Sequence, residues 1–300
     1  MSSGQRPAEE SIRIDPDYGA REGYDADFLG TGSQVVPLPT LPDDLLALAS
    51  LNRLAEQEPR HVLPYHHFSV VMNRERRLAF FTAVNIDGAA CMRFKRERDR
   101  WVLDPRIPAE EQTGDEAYRD NPLDRGHLVR RLDPAWGATR DLAKACNDDT
   151  FHFTNCTPQH EDFNQNQGTW AGLEDYLLEN ADNRDFRVSV FTGPVFANDD
   201  DEFAGVLLPR QFWKVAVMVK ESGELSATAY LLSQASLISD LGRVREAFSY
   251  GAYKTYQVRV SRIEELTHLS FGALSDFDPL GGLEAAVAAS PVERFDDILL

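Results

Sequence analysis

Apolar positions fall in short runs separated by polar stretches that carry glycine and proline. Phe68-Ser69-Val70-Val71-Met72 and Leu78-Ala79-Phe80-Phe81-Thr82-Ala83-Val84 are rich in β-branched and aromatic residues, and predict two strands turned by the polar Asn73–Arg77. Arg187–Thr192 predicts a strand ending at Gly193-Pro194, and Phe212–Val219 with Leu225–Leu232 a hairpin around Ser222-Gly223. Gly126–Arg131 and Thr150–Thr154 are shorter strand candidates. Over Thr169–Glu179 the period changes to that of a helix, with Trp170, Leu173 and Leu177 as its apolar stripe. Pro42-Asp43-Asp44 followed by Leu45, Leu46, Leu48, Leu51 and Leu54 predicts a short helix with proline and acids in its first turn. Helices mixed with antiparallel strands predict an α+β fold.

This pattern divides the chain. Residues 1–60 form an acidic N-terminal arm, rich in Gly, Pro and Asp up to about residue 40, with the short helix behind it. Residues 61–275 form one domain, and 276–300 a C-terminal tail. The apolar and charged fractions, 42% and 27%, are those of an ordinary globular protein, so they narrow little. No apolar stretch approaches the length of a membrane span. Met1-Ser2-Ser3-Gly4-Gln5-Arg6 is not followed by the apolar core of a secretory signal, so a cytoplasmic location is expected. Three cysteines, with no Cys-x-x-Cys pair, fit a reducing compartment and argue against a thiolate zinc site.

Charge changes the picture more. A net charge of −18 argues against a protein that coats nucleic acid by bulk electrostatics. Yet Arg74, Arg76, Arg77, Arg93, Lys95, Arg96, Arg98, Arg100 and Arg106 lie close together, followed by Arg125, Arg130 and Arg131. A basic cleft on an acidic body is the expectation; a solvated strand face is the plainer alternative.

Candidate chemistry gathers in the middle of the chain. Residues 124–127 read Asp-Arg-Gly-His; then come Asn155-Cys156-Thr157-Pro158-Gln159, Phe163-Asn164-Gln165-Asn166, Trp170 and Leu173-Glu174. Each residue has an ordinary structural use: asparagines turn chains or cap helices, and a histidine is commonly a buried hydrogen-bonding group. Their co-occurrence in this order carries the inference. Phosphodiester hydrolysis needs an activated water, neutralised non-bridging oxygens and help for the leaving oxygen. Histidine takes a proton near neutral pH, guanidinium matches phosphate bidentately, and a hard cation with oxygen ligands supplies a Lewis acid.

Together with Phe191-Thr192-Gly193-Pro194, Pro209-x-x-Phe212-Trp213-Lys214-Val215 and Ile263-Glu264-x-x-Thr267, these segments resemble the DNA/RNA non-specific endonucleases of the ββα-metal (His-Me finger) type, the group that includes endonuclease G. The resemblance spans about 150 residues in family order. It implies a central antiparallel sheet flanked by helices. It also implies an endonuclease that depends on Mg²⁺, with Mn²⁺ as a substitute, and cuts DNA and RNA with little sequence preference. By the same resemblance His127 is the general base, Arg125 binds phosphate or steadies the cleft, Asp124 positions, Asn155 supports the site, and Glu174 holds a metal-bound water. The asparagine opening the helix is the sole direct protein ligand to the metal. Spacing from Asn155 selects Asn164, which is preferred; spacing back from Trp170 and Glu174 selects Asn166. Leu178 stands where some members carry an arginine, and Arg98 and Arg100 flank, without filling, another arginine position before Trp101-Val102-Leu103-Asp104. DNA and RNA are the expected partners, with no membrane; a homodimer and a protein inhibitor are the partners left open. The competing readings are a non-catalytic nucleic-acid or partner-binding module of the same fold and a small-molecule phosphodiesterase.

Overall fold

The long apolar runs form the middle of an eight-stranded antiparallel sheet. The computed structural model describes residues 12–95, 99–160, 170–179, 183–234, 255–282, 289–292 and 297–300. Its strands are β1 (Leu63–Tyr65), β2 (Phe68–Asn73), β3 (Leu78–Asp87), β6 (Arg187–Val195), β9 (Gln211–Val219), β10 (Leu225–Ser233), β11 (Thr255–Val258) and β12 (Ala289–Pro291), adjacent in that order. Two small pairs stand apart: β4 (Leu123–His127) with β5 (Cys156–His160), and β7 (Glu202–Phe203) with β8 (Val206–Leu207). The helices are α1 (Asp43–Leu46), α2 (Arg140–Asp149), α3 (Trp170–Glu179) and α4 (Val260–Thr267).

The sheet is covered on both faces, which is why its strands read as nearly continuous apolar runs. On β9, Phe212, Ala216 and Met218 enter one core, and Trp213, Val215, Val217 and Val219 the other. The first core includes Leu128 and Val129, just after β4, and Leu173 and Leu177 of α3, so the β4–β5–α3 unit is seated on this face. The second packs Ile263 of α4, Leu269 and Phe271 with Leu29 and Val36 of the N-terminal segment. Several motif residues outside the site are explained by this packing. A Cβ on Gly193 would stand 2.5 Å from the Phe80 carbonyl and 2.9 Å from the Trp213 ring. In α4, Glu264 accepts from the Phe271 N–H at 2.8 Å and the Thr267 hydroxyl donates to the Ile263 carbonyl at 2.7 Å, closing the helix end.

The expected pair of strands, the turn after Asn73, the β9–β10 hairpin and the helix over 170–179 are present. Two expected strands are displaced. The first is not Gly126–Arg131 but Leu123–His127. It stops there because the Asn155 side chain takes both the N–H and the carbonyl of Val129, while the Asp133 carboxylate takes the Arg130 N–H. Thr150–Thr154 is not a strand: Thr150 closes α2, a 3₁₀ turn covers Phe153–Asn155, and the strand begins at Cys156. Side-chain bonds replace the ladder in both places.

Residues 12–40 are extended, with only two short 3₁₀ turns, yet Tyr18, Arg21, Leu29 and Val36 are buried against the body. Gly23 donates to the Tyr65 carbonyl at 2.9 Å, so this segment covers the β1 edge of the sheet. Among the described residues no helix is long and apolar enough to cross a membrane.

Candidate active site

In β4 and β5 the two sequence motifs face each other: Arg125 lies opposite Pro158, Gly126 opposite Thr157, and His127 opposite Cys156. Successive strand residues point to opposite faces, so Arg125 and His127 share one, roughly 7 Å apart along the strand. That face rests on aromatic rings. The Arg125 guanidinium lies 5.1 Å from the Tyr118 ring centroid. His127, half-buried, has Trp101 at 4.5 Å and Phe151 at 5.0 Å between ring centroids, the latter edge-on at 87°. Trp101 packs in turn on Phe151 and Phe153. The imidazole is thus oriented by two rings that also touch each other. Arg125 also pairs with Asp115, whose side chain is half exposed.

Gly126 is required by close approach. A Cβ there would lie 2.1 Å from the Gln159 side-chain carbon, because Gln159 crosses the Gly126 backbone with its amide 3.3 Å from the Thr157 hydroxyl. The glycine of Asp-Arg-Gly-His and the glutamine of Asn-x-Thr-Pro-Gln are therefore one fitted pair. Asn155, fully buried, spends its amide on backbone: it donates to Val129 and Thr150 carbonyls at 2.9 and 3.0 Å and accepts from the Val129 N–H at 2.9 Å. It holds the exit from β4.

α3 follows β5 and carries Glu174. Asn164 and Asn166 lie outside the described residues. Arg130, in the turn after β4, bonds Asp133 at 3.0 Å and reaches Asp175 of α3 at 3.2 Å, linking the histidine strand to the helix. Among the described residues no three His, Cys, Asp or Glu side chains converge as a ligand set. Cys156 is buried, which pushes its thiol up to about 12, and contacts the Tyr118 hydroxyl at 3.1 Å. It is a packing residue.

Three elements of the support escape sequence reading. The first is Trp101, visible only as part of Trp-x-x-Asp. The second is Gln234, a buried glutamine that accepts from the His160 N–H at 3.0 Å and donates to the Pro209 carbonyl at 2.7 Å, tying β5 to the main sheet. The third is a buried polar network behind the site. Asp104 takes a bidentate bond from Arg106 and the Tyr65 hydroxyl, and Tyr65 meets Thr154 at 2.6 Å. Val102 exchanges backbone bonds with Phe151 and Phe153 at 3.0 and 2.9 Å, which sets Phe151 beside His127. Burial raises the Asp104 carboxyl, but the Arg106 bonds and charge outweigh it and hold it below the usual carboxylate range.

The structure also sorts the arginines expected to line a cleft. Arg106 is buried on Asp104, Arg76 pairs with Asp200, and Arg77 serves the Gln112 carbonyl and Glu116. These are structural, which corrects part of the basic-cleft expectation. Arg93 and Arg100 are exposed; Arg96 and Arg98 lie outside the described residues.

Comparison with known proteins agrees with this architecture. The chain is 44% identical over 265 residues to "Uncharacterized protein y4fB" of Sinorhizobium fredii, covering 85% of this chain and 39% of that protein, so it spans about two fifths of that relative's length. It is 24% identical over 254 residues to "Nuclease" of Nostoc sp., covering 82% of this chain and 87% of the relative. Among solved structures, EndoG in its complex with EndoGI superposes with a TM-score of 0.54 at 19% identity, over 70% of this chain and 84% of that one. The fold is shared with EndoG. The sequence profile of the family described as DNA/RNA non-specific endonuclease matches residues 52–276, three quarters of the chain, and the protein belongs to that family.

Proposed function

We propose that this protein is an endonuclease that hydrolyses phosphodiester bonds of DNA and RNA with little sequence preference. The observation that carries this reading is the placement of His127 at the end of β4, packed against Trp101 and Phe151, with Arg125 on the same face and α3 following β5. His127 takes a proton from the attacking water as the oxygen–phosphorus bond forms and the bond to the leaving oxygen breaks. Arg125 leaves Asp115 to bind non-bridging oxygens, exchanging one oxyanion for another. Asn155, through Val129, keeps the end of β4 in place. The oxygen donors proposed here, the Asn164 amide and the Glu174 carboxylate, would suit a hard divalent ion, Mg²⁺ or Mn²⁺, held largely by water. When bound, that ion supplies charge neutralisation at the phosphate. Recognition through phosphate and sugar carries little sequence information. A homodimer and a protein inhibitor are further proposals; the inhibitor is motivated by the likeness to EndoG, solved with EndoGI.

The test is an assay of purified protein on plasmid, RNA and small phosphodiesters, with Mg²⁺, with Mn²⁺ and with chelator. Cleavage of both nucleic acids should vanish on chelation, and His127→Ala should lower the rate 10²–10⁴-fold while circular dichroism and DNA binding persist. Near wild-type turnover in that variant removes His127 as the base; a rate indifferent to chelator removes the metal.

A further inference from the structure

Beyond Arg125 and His127, cations gather around a crevice that Phe151 also lines. Phe94, Phe151, Lys95, Arg131 and Lys144, with Ile12 and Asn147, line a shallow surface crevice of about 10 Å³, and the lining contains three cations and no carboxylate. Phe151 also stands 5.0 Å from the His127 ring, so the crevice and the proposed base share a wall. The cations are set in place from different elements. Arg131, four residues beyond His127, donates to the Phe94 carbonyl at 3.1 Å and lies 3.4 Å from the Asn147 amide oxygen. Lys144 of α2 is paired with Asp148 at 2.6 Å, and Lys95 is exposed. Arg140, the first residue of α2, lies 4.5 Å from the Phe94 ring centroid.

On a chain of net charge −18, a cation-lined crevice beside the base has an electrostatic use. We propose that it is a subsite for the phosphate–sugar backbone of the substrate strand, adjacent to the scissile phosphate, and that it sets affinity for long nucleic acids. Lys95 and Arg131 meet phosphate oxygens at the mouth of the crevice, while Phe94 and Phe151, both buried, form its floor. The proposal rests on the nuclease reading and adds where the strand runs.

The test uses the full chain. Lys95 is exposed, so Lys95→Glu leaves the core untouched; Arg262→Glu, on α4 against the opposite face of the sheet, is the charge-matched control. Lys95→Glu should lower kcat/KM on a long single strand relative to that on a small aryl phosphodiester by about tenfold, whereas Arg262→Glu should move that ratio less than about twofold. In the His127→Ala background, fluorescence anisotropy with a labelled oligonucleotide should show weaker binding for Lys95→Glu, with the slope of log Kd against log salt reduced by roughly 0.7 per lost contact. Equal loss in the two charge reversals, or none in either, overturns the subsite. A wild-type protein that cuts nothing yet binds the strand through Lys95 overturns the nuclease reading and leaves the subsite standing.

Discussion

One side-chain contact ties two separated motifs to each other. Gln159 occupies the space a Cβ on residue 126 would need, so Gly126→Ala must displace either that side chain or β4 itself. The expected cost is about 1–3 kcal/mol in urea unfolding, with a large loss of activity because Arg125 and His127 flank the position. Gln159→Ala in the same chain should restore most of the stability. Simple additivity of the two substitutions would show that the contact is not the cause. The metal asparagine is also a residue-scale question. Asn164→Ala should lose most activity, with partial rescue at raised Mg²⁺, while Asn166→Ala costs no more than about 1 kcal/mol of helix-start stability. The opposite pattern in metal-dependent rates moves the ligand by two residues. The Asp-Arg-Gly-His and Asn-x-Thr-Pro-Gln motifs were legible because their residue types are tied to chemistry. Trp101 was not, since its role is a ring contact with a residue 26 positions away and nothing local marks it.

At the scale of elements, β4, β5 and α3 were legible as strand, loop, strand and helix, but their edges were not. Phe151 and Phe153 alternate as a strand would, and the structure uses them instead as rings beside Trp101, with Asn155 and Val102 taking the backbone groups. Where side chains satisfy backbone, hydrophobic alternation misplaces a strand. The network behind these rings makes a testable claim. Asp104 and Arg106 are about 1% exposed and bonded to each other, and Arg106 donates to the Pro64 carbonyl at 2.6 Å. Asp104→Ala leaves a buried guanidinium unmatched, at an expected cost of about 3–5 kcal/mol. Asp104→Asn keeps an oxygen acceptor and should cost less. If the two variants unfold at the same urea concentration, charge pairing is not what Asp104 contributes.

At the scale of the molecule, the sheet has two covered faces and an N-terminal segment sewn across its edge, which makes residues outside the family profile part of the fold. Arg21 grips Asp149 through two bonds of 2.8 Å, and both side chains are at most 2% exposed. Burial pushes the Asp149 carboxyl up, but the bonds from His66 and Arg21 outweigh it and hold the group well below the usual carboxylate range. Nearby His152 is lowered by burial; its Nδ1 meets the Asp149 carbonyl at 2.7 Å, leaving Nε2 to accept from the Tyr18 hydroxyl at 2.8 Å. Both groups bind fewer protons folded than unfolded. Their contribution is complete above the unfolded values, about 6.5 for histidine and 3.9 for aspartate, and is lost as pH falls below them. Arg21→Met should therefore destabilise by about 3–5 kcal/mol at pH 7, because it strands a buried carboxylate beside His66 alone. It should also move acid unfolding to higher pH, because the variant starts with less stability to lose as its other carboxylates protonate. Deleting residues 1–24 removes Tyr18 as well and should do at least as much damage. Urea midpoints at pH 7, 5 and 4 decide the matter. A gap between wild type and Arg21→Met that narrows as Asp149 becomes protonated supports the latch, and a variant as stable as wild type at pH 7, with the same acid midpoint, removes it.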